Sequence, residues 1–366
     1  MHILLLLTDL FDKVGGIQTF NRSLVKALSD ISEHRDWKIT LLVLNDKENN
    51  TSGNLYINQS KVKYLSFNGS KFRFIISAFF NAFHSSILII GHINYSFLAG
   101  ILKLFFIQTK IYLTVFGIDA ARKLSCFQRF SLRHITKILS ISEYTKNQIL
   151  LFNTVEKSKF CIIPCTLEPF FDGGSSYSNR DSLSLPSGKM ILTVSRLDAH
   201  EKYKNIDLVI EAMPEVLKRV PDAFYVIVGD GSDKKRLEKL AVDLNLTGKI
   251  IFARKVSDEL LASYYKLCDL FVLPSTQEGF GIVFLEAMYF AKPCIGADAG
   301  AIPEVVRDGE TGLLVDLNNK RKLADSIVSL LADSSLSESM GKAGKIELEN
   351  KFSFEIFKQR IEATLC

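Results

Sequence analysis

The run Pro274-Ser275-Thr276-Gln277-Glu278-Gly279-Phe280-Gly281-Ile282-Val283-Phe284-Leu285-Glu286-Ala287 follows one apolar segment and opens a helical one. Gly279 and Gly281 let the backbone approach a ligand closely, and the amides at a new helix start suit a phosphate or sugar oxygen. Carboxylates do not hold phosphate, but they accept paired hydrogen bonds from neighbouring hydroxyls. Glu278 and Glu286 therefore read as a grip on sugars, one for a hexose and one for a ribose. The same spacing also fits a glycine turn with one solvated and one helix-face glutamate.

Two cations stand on another strand-to-helix loop, Arg196 in Ser195-Arg196-Leu197 and Lys204 in Glu201-Lys202-Tyr203-Lys204-Asn205. Beside a helix start they would clamp a diphosphate and neutralise charge growing on a leaving group; a solvated basic loop is the other reading. Gly15-Gly16, between the first apolar run and the first helical pattern, lacks a P-loop lysine and the G-x-G-x-x-G spacing. It lets a phosphate or an acceptor near the backbone, or is an ordinary tight turn, and Gly229-Asp230-Gly231 reads as a turn at a strand end.

The elements that must carry these residues alternate regularly. Strands are predicted at 3–8, 38–44, 62–66, 87–91, 111–115 and 138–142, then at 190–195, 224–229, 249–253, 270–274, 293–297 and 312–316, with helical spacing between them, as at Ile17, Phe20, Leu24 and Leu28. Continuous apolar strands alternating with helices mean parallel sheets covered on both faces, an α/β fold. A Gly- and Ser-rich segment at 172–188 breaks the rhythm as a linker. The expected organisation is two Rossmann-like domains facing across a cleft, 1–171 and 189–350, followed by a terminal helix, 351–366, packing back on the first.

Length and composition agree, since 366 residues at 47% hydrophobic content suffice for two cores and exclude a disordered chain. The net charge of +5 divides unevenly: residues 1–170 hold 20 Lys/Arg against 11 Asp/Glu, and 171–366 hold 25 against 29. One half should approach something anionic. The six cysteines are scattered without zinc-ligand spacing and read as buried small hydrophobes in a reducing compartment. The N-terminal run is read as a first strand, and Phe97–Ile107 falls short of the roughly 20 residues a bilayer span needs. The expected location is cytoplasmic, at most peripheral at the inner face of the plasma membrane.

In register, these motifs resemble a GT-B retaining glycosyltransferase of family 4, the glycosyl transferases group 1. The resemblance runs through Gly15-Gly16, Ser142-Glu143-Tyr144-Thr145, Ser195-Arg196-Leu197 with Lys204, Val228-Gly229-Asp230-Gly231, the E-x7-E pair Glu278 and Glu286, Gly300-Ala301-Ile302-Pro303-Glu304-Val305, and Asp308-Gly309-Glu310-Thr311-Gly312-Leu313-Leu314-Val315. It implies that the first domain binds acceptor and the second binds donor. It implies that Arg196 and Lys204 hold the donor diphosphate, Glu286 the ribose, and Glu278 the donor sugar, beside Gly279 and the amides of Phe280 and Gly281. Gly16 would lie against the donor phosphates and Val256 would meet the nucleobase. No metal or other cofactor is expected, because the two cations replace it.

The sequence departs from the family where a His-Gly pair is usual, for Val115 is followed by Phe116-Gly117. His92 is the substitute expected to contact the donor sugar, and Asn205 replaces a usual glycine because asparagine tolerates the left-handed region. Lys71 to His84 is a basic, aromatic-rich amphipathic stretch suited to an anionic membrane surface, unless Phe74, Phe79 and Phe83 are core. The expected partners are a nucleotide-diphosphate sugar, UDP-glucose or a related UDP-hexose foremost, and a glycan or lipid-linked acceptor in cell-surface polysaccharide synthesis, with no nucleic acid. The alternatives are a GDP-mannose-dependent mannosyltransferase, an epimerase or phosphorylase of the same fold, and a non-catalytic nucleotide-sugar-binding scaffold.

Overall fold

Runs of Leu, Ile and Val become strands here because the central ones are buried on both faces, and the amphipathic segment that follows covers the sheet. The computed structural model describes residues 1–47, 55–171 and 180–366. The chain divides into two units, Met1–Pro169 with Phe352–Cys366, and Phe170–Lys351.

In the first unit, β1 (His2–Leu7), β2 (Lys38–Val43), β3 (Val62–Ser66), β4 (Ile87–Ile90), β5 (Lys110–Val115), β6 (Lys137–Ser140) and β7 (Phe160–Ile162) form one parallel sheet. Their order is β3-β2-β1-β4-β5-β6-β7. The helices are α1 (Gly16–His34), α2 (Lys71–Ala82), α3 (Phe97–Phe105), α4 (Gly117–Ala120), α5 (Cys126–Arg133) and α6 (Glu143–Phe152). Leu4, Leu6, Leu88, Ile90 and Leu113 meet Phe74, Ala78 and Leu98 in the core on one face. Strand β7 is absent from the sequence-predicted set; three half-buried edge residues are too few to show a period.

The second unit repeats the plan with β8 (Met190–Val194), β9 (Phe224–Val228), β10 (Ile250–Ala253), β11 (Leu270–Leu273), β12 (Cys294–Ala297) and β13 (Gly312–Val315), all parallel and ordered β10-β9-β8-β11-β12-β13. Its helices are α7 (Ile206–Arg219), α8 (Lys234–Asp243), α9 (Asp258–Leu267), α10 (Ile282–Tyr289), α11 (Ile302–Val305), α12 (Lys320–Ala332) and α13 (Ser334–Glu347). Ile191, Tyr225, Val272 and Ile295 pack with Val209, Met213 and Ile327 at its core. Of the segment read as a linker, 172–179 lies outside the described residues. Residues 180–188 belong to the second unit, where Arg180 pairs with Asp269 at 2.9 Å and donates to the Leu267 carbonyl at 3.0 Å.

The last helix, α14 (Phe354–Leu365), belongs to the first unit. Phe357 meets Phe20 of α1 edge to face at 5.4 Å, Glu362 pairs with Arg35 at 2.8 Å, and the Tyr112 hydroxyl donates to the Thr364 carbonyl at 3.3 Å. Among the described residues, no helix is long and apolar enough to cross a membrane. The cysteines correct their reading in part: Cys165, Cys268 and Cys294 are buried, but Cys126 and Cys366 are exposed. Cys126 opens a surface helix and Cys366 follows the last turn of α14, both on exposed positions away from a core.

In both sheets the winding reverses next to the first strand, between β1 and β4 and between β8 and β11. The crevice outside the carboxyl ends of such a strand pair is where open α/β sheets bind ligands.

Candidate functional site

The second unit places Arg196 and Lys204 after β8 and Glu278 after β11, on the two strands that flank its reversal. Two glycines shape the Arg196 loop. A Cβ on Gly229 would lie 1.8 Å from the Ser195 carbonyl oxygen and one on Gly231 2.2 Å from that of Leu197, so the loop after β9 presses against the loop after β8 as only glycine allows. Lys204 closes a single helical turn, Lys202–Lys204, and Asn205 takes the left-handed conformation (φ 53, ψ 37) before α7 begins. The Asn205 side chain donates to the Pro274 carbonyl at 2.8 Å, tying the lysine turn to the loop that carries Glu278.

These three residues form one charge network. Lys204 Nζ lies 3.3 Å from Glu278 Oε1 and 3.9 Å from Glu201 Oε2, all three side chains being largely buried, while Arg196 pairs with Glu201 Oε1 from a side chain 69% exposed. Two cations are thus balanced by two carboxylates. Glu201 was not among the predicted site residues; its signal was the E-x-x-K spacing, which brings i and i+3 together in one tight turn. A diphosphate would draw Arg196 and Lys204 away from Glu201 by offering more negative charge in the same place.

Glu286 is held separately. It lies on α10, and its Oε2 accepts from the Tyr265 hydroxyl of α9 at 2.6 Å. Burial, reinforced by Glu286, pushes the Tyr265 phenol well above its ordinary pKa, so it stays a donor. Tyr265 also escaped the sequence reading, since nothing in its spacing ties it to Glu286. Gly281 takes φ 94 at the start of α10, which carries no side-chain cap and no acidic residue in its first turn. Phe280 is buried, Gly279 lies before it in the same turn, and Val256 is half-buried in the loop between β10 and α9. Gly16 and His92, by contrast, belong to the first unit.

There the sheet reversal opens a cavity of about 460 Å³ lined by Thr8, Asp9, Gln18, Asn45, His92 and Asn94, with Lys71, Ile75, Tyr95 and Phe97 at its walls. Its polar groups follow β1, β2 and β4. Asp9 pairs with Lys13 at 2.8 Å and accepts from Asn45 at 3.2 Å. The fully buried Asp46 accepts the backbone N–H groups of Leu10 and Phe11, each at 3.0 Å, and the Tyr64 hydroxyl at 3.1 Å. Asp46 so fixes the loop leading to Gly15 and Gly16. His92 Nδ1 accepts the Asn94 N–H at 3.1 Å, which leaves the proton on Nε2 facing Asp119 at 3.3 Å. The ring stacks on Phe116 at 6.4 Å. Carboxylate, amides, imidazole and aromatic walls are the surfaces that recognise a polyhydroxylated ring.

Residues 178–347 match the model of the family described as glycosyl transferases group 1. An uncharacterized glycosyltransferase of Methanocaldococcus jannaschii is 29% identical over 93% of this chain and 92% of its own length. A GDP-mannose-dependent alpha-(1-6)-phosphatidylinositol monomannoside mannosyltransferase of Mycolicibacterium smegmatis is 33% identical over 45% of this chain and 44% of its own. Among solved structures, Anabaena HepE in complex with UDP superposes with a TM-score of 0.78 at 20% identity, covering 100% of this chain and 99% of that one. Sucrose-phosphate synthase from Thermosynechococcus elongatus gives 0.76 at 19%, covering 100% and 98%. The fold is therefore GT-B.

Proposed function

Since this chain is a glycosyltransferase of the GT-B type, with a glycosyl transferases group 1 region at residues 178–347, we propose that it moves a hexose from a UDP-sugar to a saccharide acceptor, with retention of configuration and without a metal. The observation that carries this reading is the joined set Arg196, Lys204, Glu201 and Glu278 at the sheet reversal of the second unit. Arg196 and Lys204 bind the diphosphate, Glu278 accepts from hexose hydroxyls, and Glu286, oriented by Tyr265, accepts from the ribose. The turn Gly279-Phe280-Gly281 brings backbone near the phosphates and sugar, and Val256 flanks the base. The cavity of the first unit, which His92 lines, receives the acceptor.

In the reaction, the bond between the anomeric carbon and the diphosphate oxygen breaks, and the electron pair leaves with the UDP. The two cations take up that charge, which is worth most where water is excluded. The acceptor hydroxyl forms the new bond on the same face and passes its proton to the departing phosphate oxygen. Among the described residues, no group of three or more His, Cys, Asp and Glu gathers to hold a metal.

UDP is the favoured carrier because a neighbour of the same fold holds it. A relative named for GDP-mannose supports the second reading, a mannosyltransferase. Thermal shifts against UDP, GDP and their common sugars, with and without EDTA, test both. UDP should raise the melting temperature equally in either condition. A shift with GDP alone reassigns the base, and a shift that vanishes with EDTA refutes the cation clamp.

A further inference from the structure

We propose that α2, the end of α3 and α5 form a docking surface for an anionic lipid bilayer. Helix α2 is divided lengthwise. Phe74, Ala78 and Ala82 are buried in the core, whereas Phe72, Ile76, Phe80 and Phe83 recur at helical spacing on the outside, Phe72 being 76% exposed, Phe80 65% and Phe83 60%. The sequence-based alternative that Phe74, Phe79 and Phe83 are all core is therefore corrected: Phe74 is, and Phe83 is not.

The end of α3 continues the face with the exposed side chains of Leu104, Phe105 and Ile107, and α5 adds Phe127 and Phe130. Ring contacts join α2 to the end of α3, and α3 in turn packs against α5. Phe79 meets Phe83 at 5.6 Å and Phe105 at 5.2 Å, and Phe83 meets Phe106 at 4.8 Å. Isolated exposed apolar residues are ordinary, but a contiguous aromatic set on adjoining helices marks an interaction surface.

Charge identifies the partner. From Asn49 to Ser142 the sequence holds eleven Lys/Arg and a single acidic residue, Asp119, and α2, α3 and α5 carry no Asp or Glu at all. Lys71, Arg73, Lys103, Arg129 and Arg133 stand on the three helices among the exposed rings. A protein partner of mixed charge would find no complementary acids here, whereas an anionic leaflet takes the rings at its interface and attracts each nearby Lys or Arg.

The placement also serves the transferase reading, on which this last step rests. Lys71 and Ile75 of the same helix line the acceptor cavity. An acceptor saccharide carried on a lipid phosphate would place its sugar between Asp9 and His92, its phosphate at Lys71 and its chain in the leaflet under α2. The substrate class is thus a phospholipid-linked saccharide.

The test is co-sedimentation of the full chain with pure phosphatidylcholine vesicles and with vesicles containing about one third phosphatidylglycerol. The wild type should bind the anionic vesicles only. Phe80→Asp with Phe83→Asp, and Lys71→Glu with Arg73→Glu, should each lower that binding about tenfold or more, while melting and the UDP-induced shift stay near wild type to show that both variants fold. Failure of the wild type to bind, equal binding to both vesicles, or unchanged binding by the Phe80/Phe83 variant would overturn the proposal. Anionic-vesicle binding by a chain that ignores every nucleotide would support the docking surface and refute the donor reading alone.

Discussion

The Tyr265 hydroxyl donates to the Glu286 carboxylate at 2.6 Å from a side chain that is fully buried, its ring stacked parallel to Phe290 at 6.1 Å. Helix α9 thereby aims a carboxylate on α10. Tyr265→Phe keeps the packing and removes the donor, so stability should fall by about 1–2 kcal/mol and UDP should bind several-fold more weakly. Calorimetry with UDP and with inorganic diphosphate separates the roles. Equal weakening of both ligands would remove Glu286 from the ribose.

Lys204 joins Glu201 and Glu278, so its loss both weakens the diphosphate clamp and leaves two carboxylates without their shared cation. Lys204→Met should lower kcat/KM by roughly 10²-fold or more, the scale of one charge-stabilising group in a closed site. Steady-state kinetics at saturating acceptor is the measurement. Turnover at the wild-type level would take Lys204 out of the donor site.

Gly229 is a steric requirement as well as a conformational one. At φ +147, an alanine there would drive its Cβ against the Ser195 carbonyl, whereas Gly248, at φ +78, has nothing within 4 Å of its would-be Cβ. Strained backbone alone costs about 1–3 kcal/mol. Gly229→Ala should therefore lower the melting temperature more than Gly248→Ala does, and should alone weaken UDP binding by shifting Arg196. Equal losses would mean that the loop relaxes freely.

The Asp119 carboxyl is held below the ordinary carboxylate range, chiefly by its hydrogen bond from His92 and against the opposing effect of burial. A group lowered in the folded state stabilises fully above its unfolded pKa and loses that contribution as pH falls through its folded pKa. The stability lead of wild type over Asp119→Asn should be complete at neutral pH and vanish under strongly acidic conditions, a difference read by urea unfolding at several pH values. The side chain is half-exposed, so the lead should be small. A lead that grows on acidification would contradict the assignment.

Alternation of continuous apolar runs with helical spacing makes both parallel sheets legible in the sequence, because a strand buried on two faces leaves no other composition. Strand β7 escaped because an edge strand of three half-buried residues has no such constraint. At the site, the E-x7-E pair and the Arg196 loop could be read because glycines and charges cluster there locally. Tyr265 and Asp46 could not be, since each acts on a loop or helix far away in sequence and looks like an ordinary core or turn residue, and the contact of Asp9 with Asn45 likewise joins two distant strand ends. The division of α2 was half legible: periodicity shows an amphipathic helix, but which phenylalanines point outward depends on where the sheet lies.

The return of α14 to the first unit makes the order of synthesis differ from the order of assembly. Phe20 and Arg35 emerge early, yet their partners Phe357 and Glu362 emerge only after the whole of the second unit. The first unit must therefore wait with part of its α1 surface uncovered until the second unit has been made, and a chain cut before α14 would injure the domain that was made first.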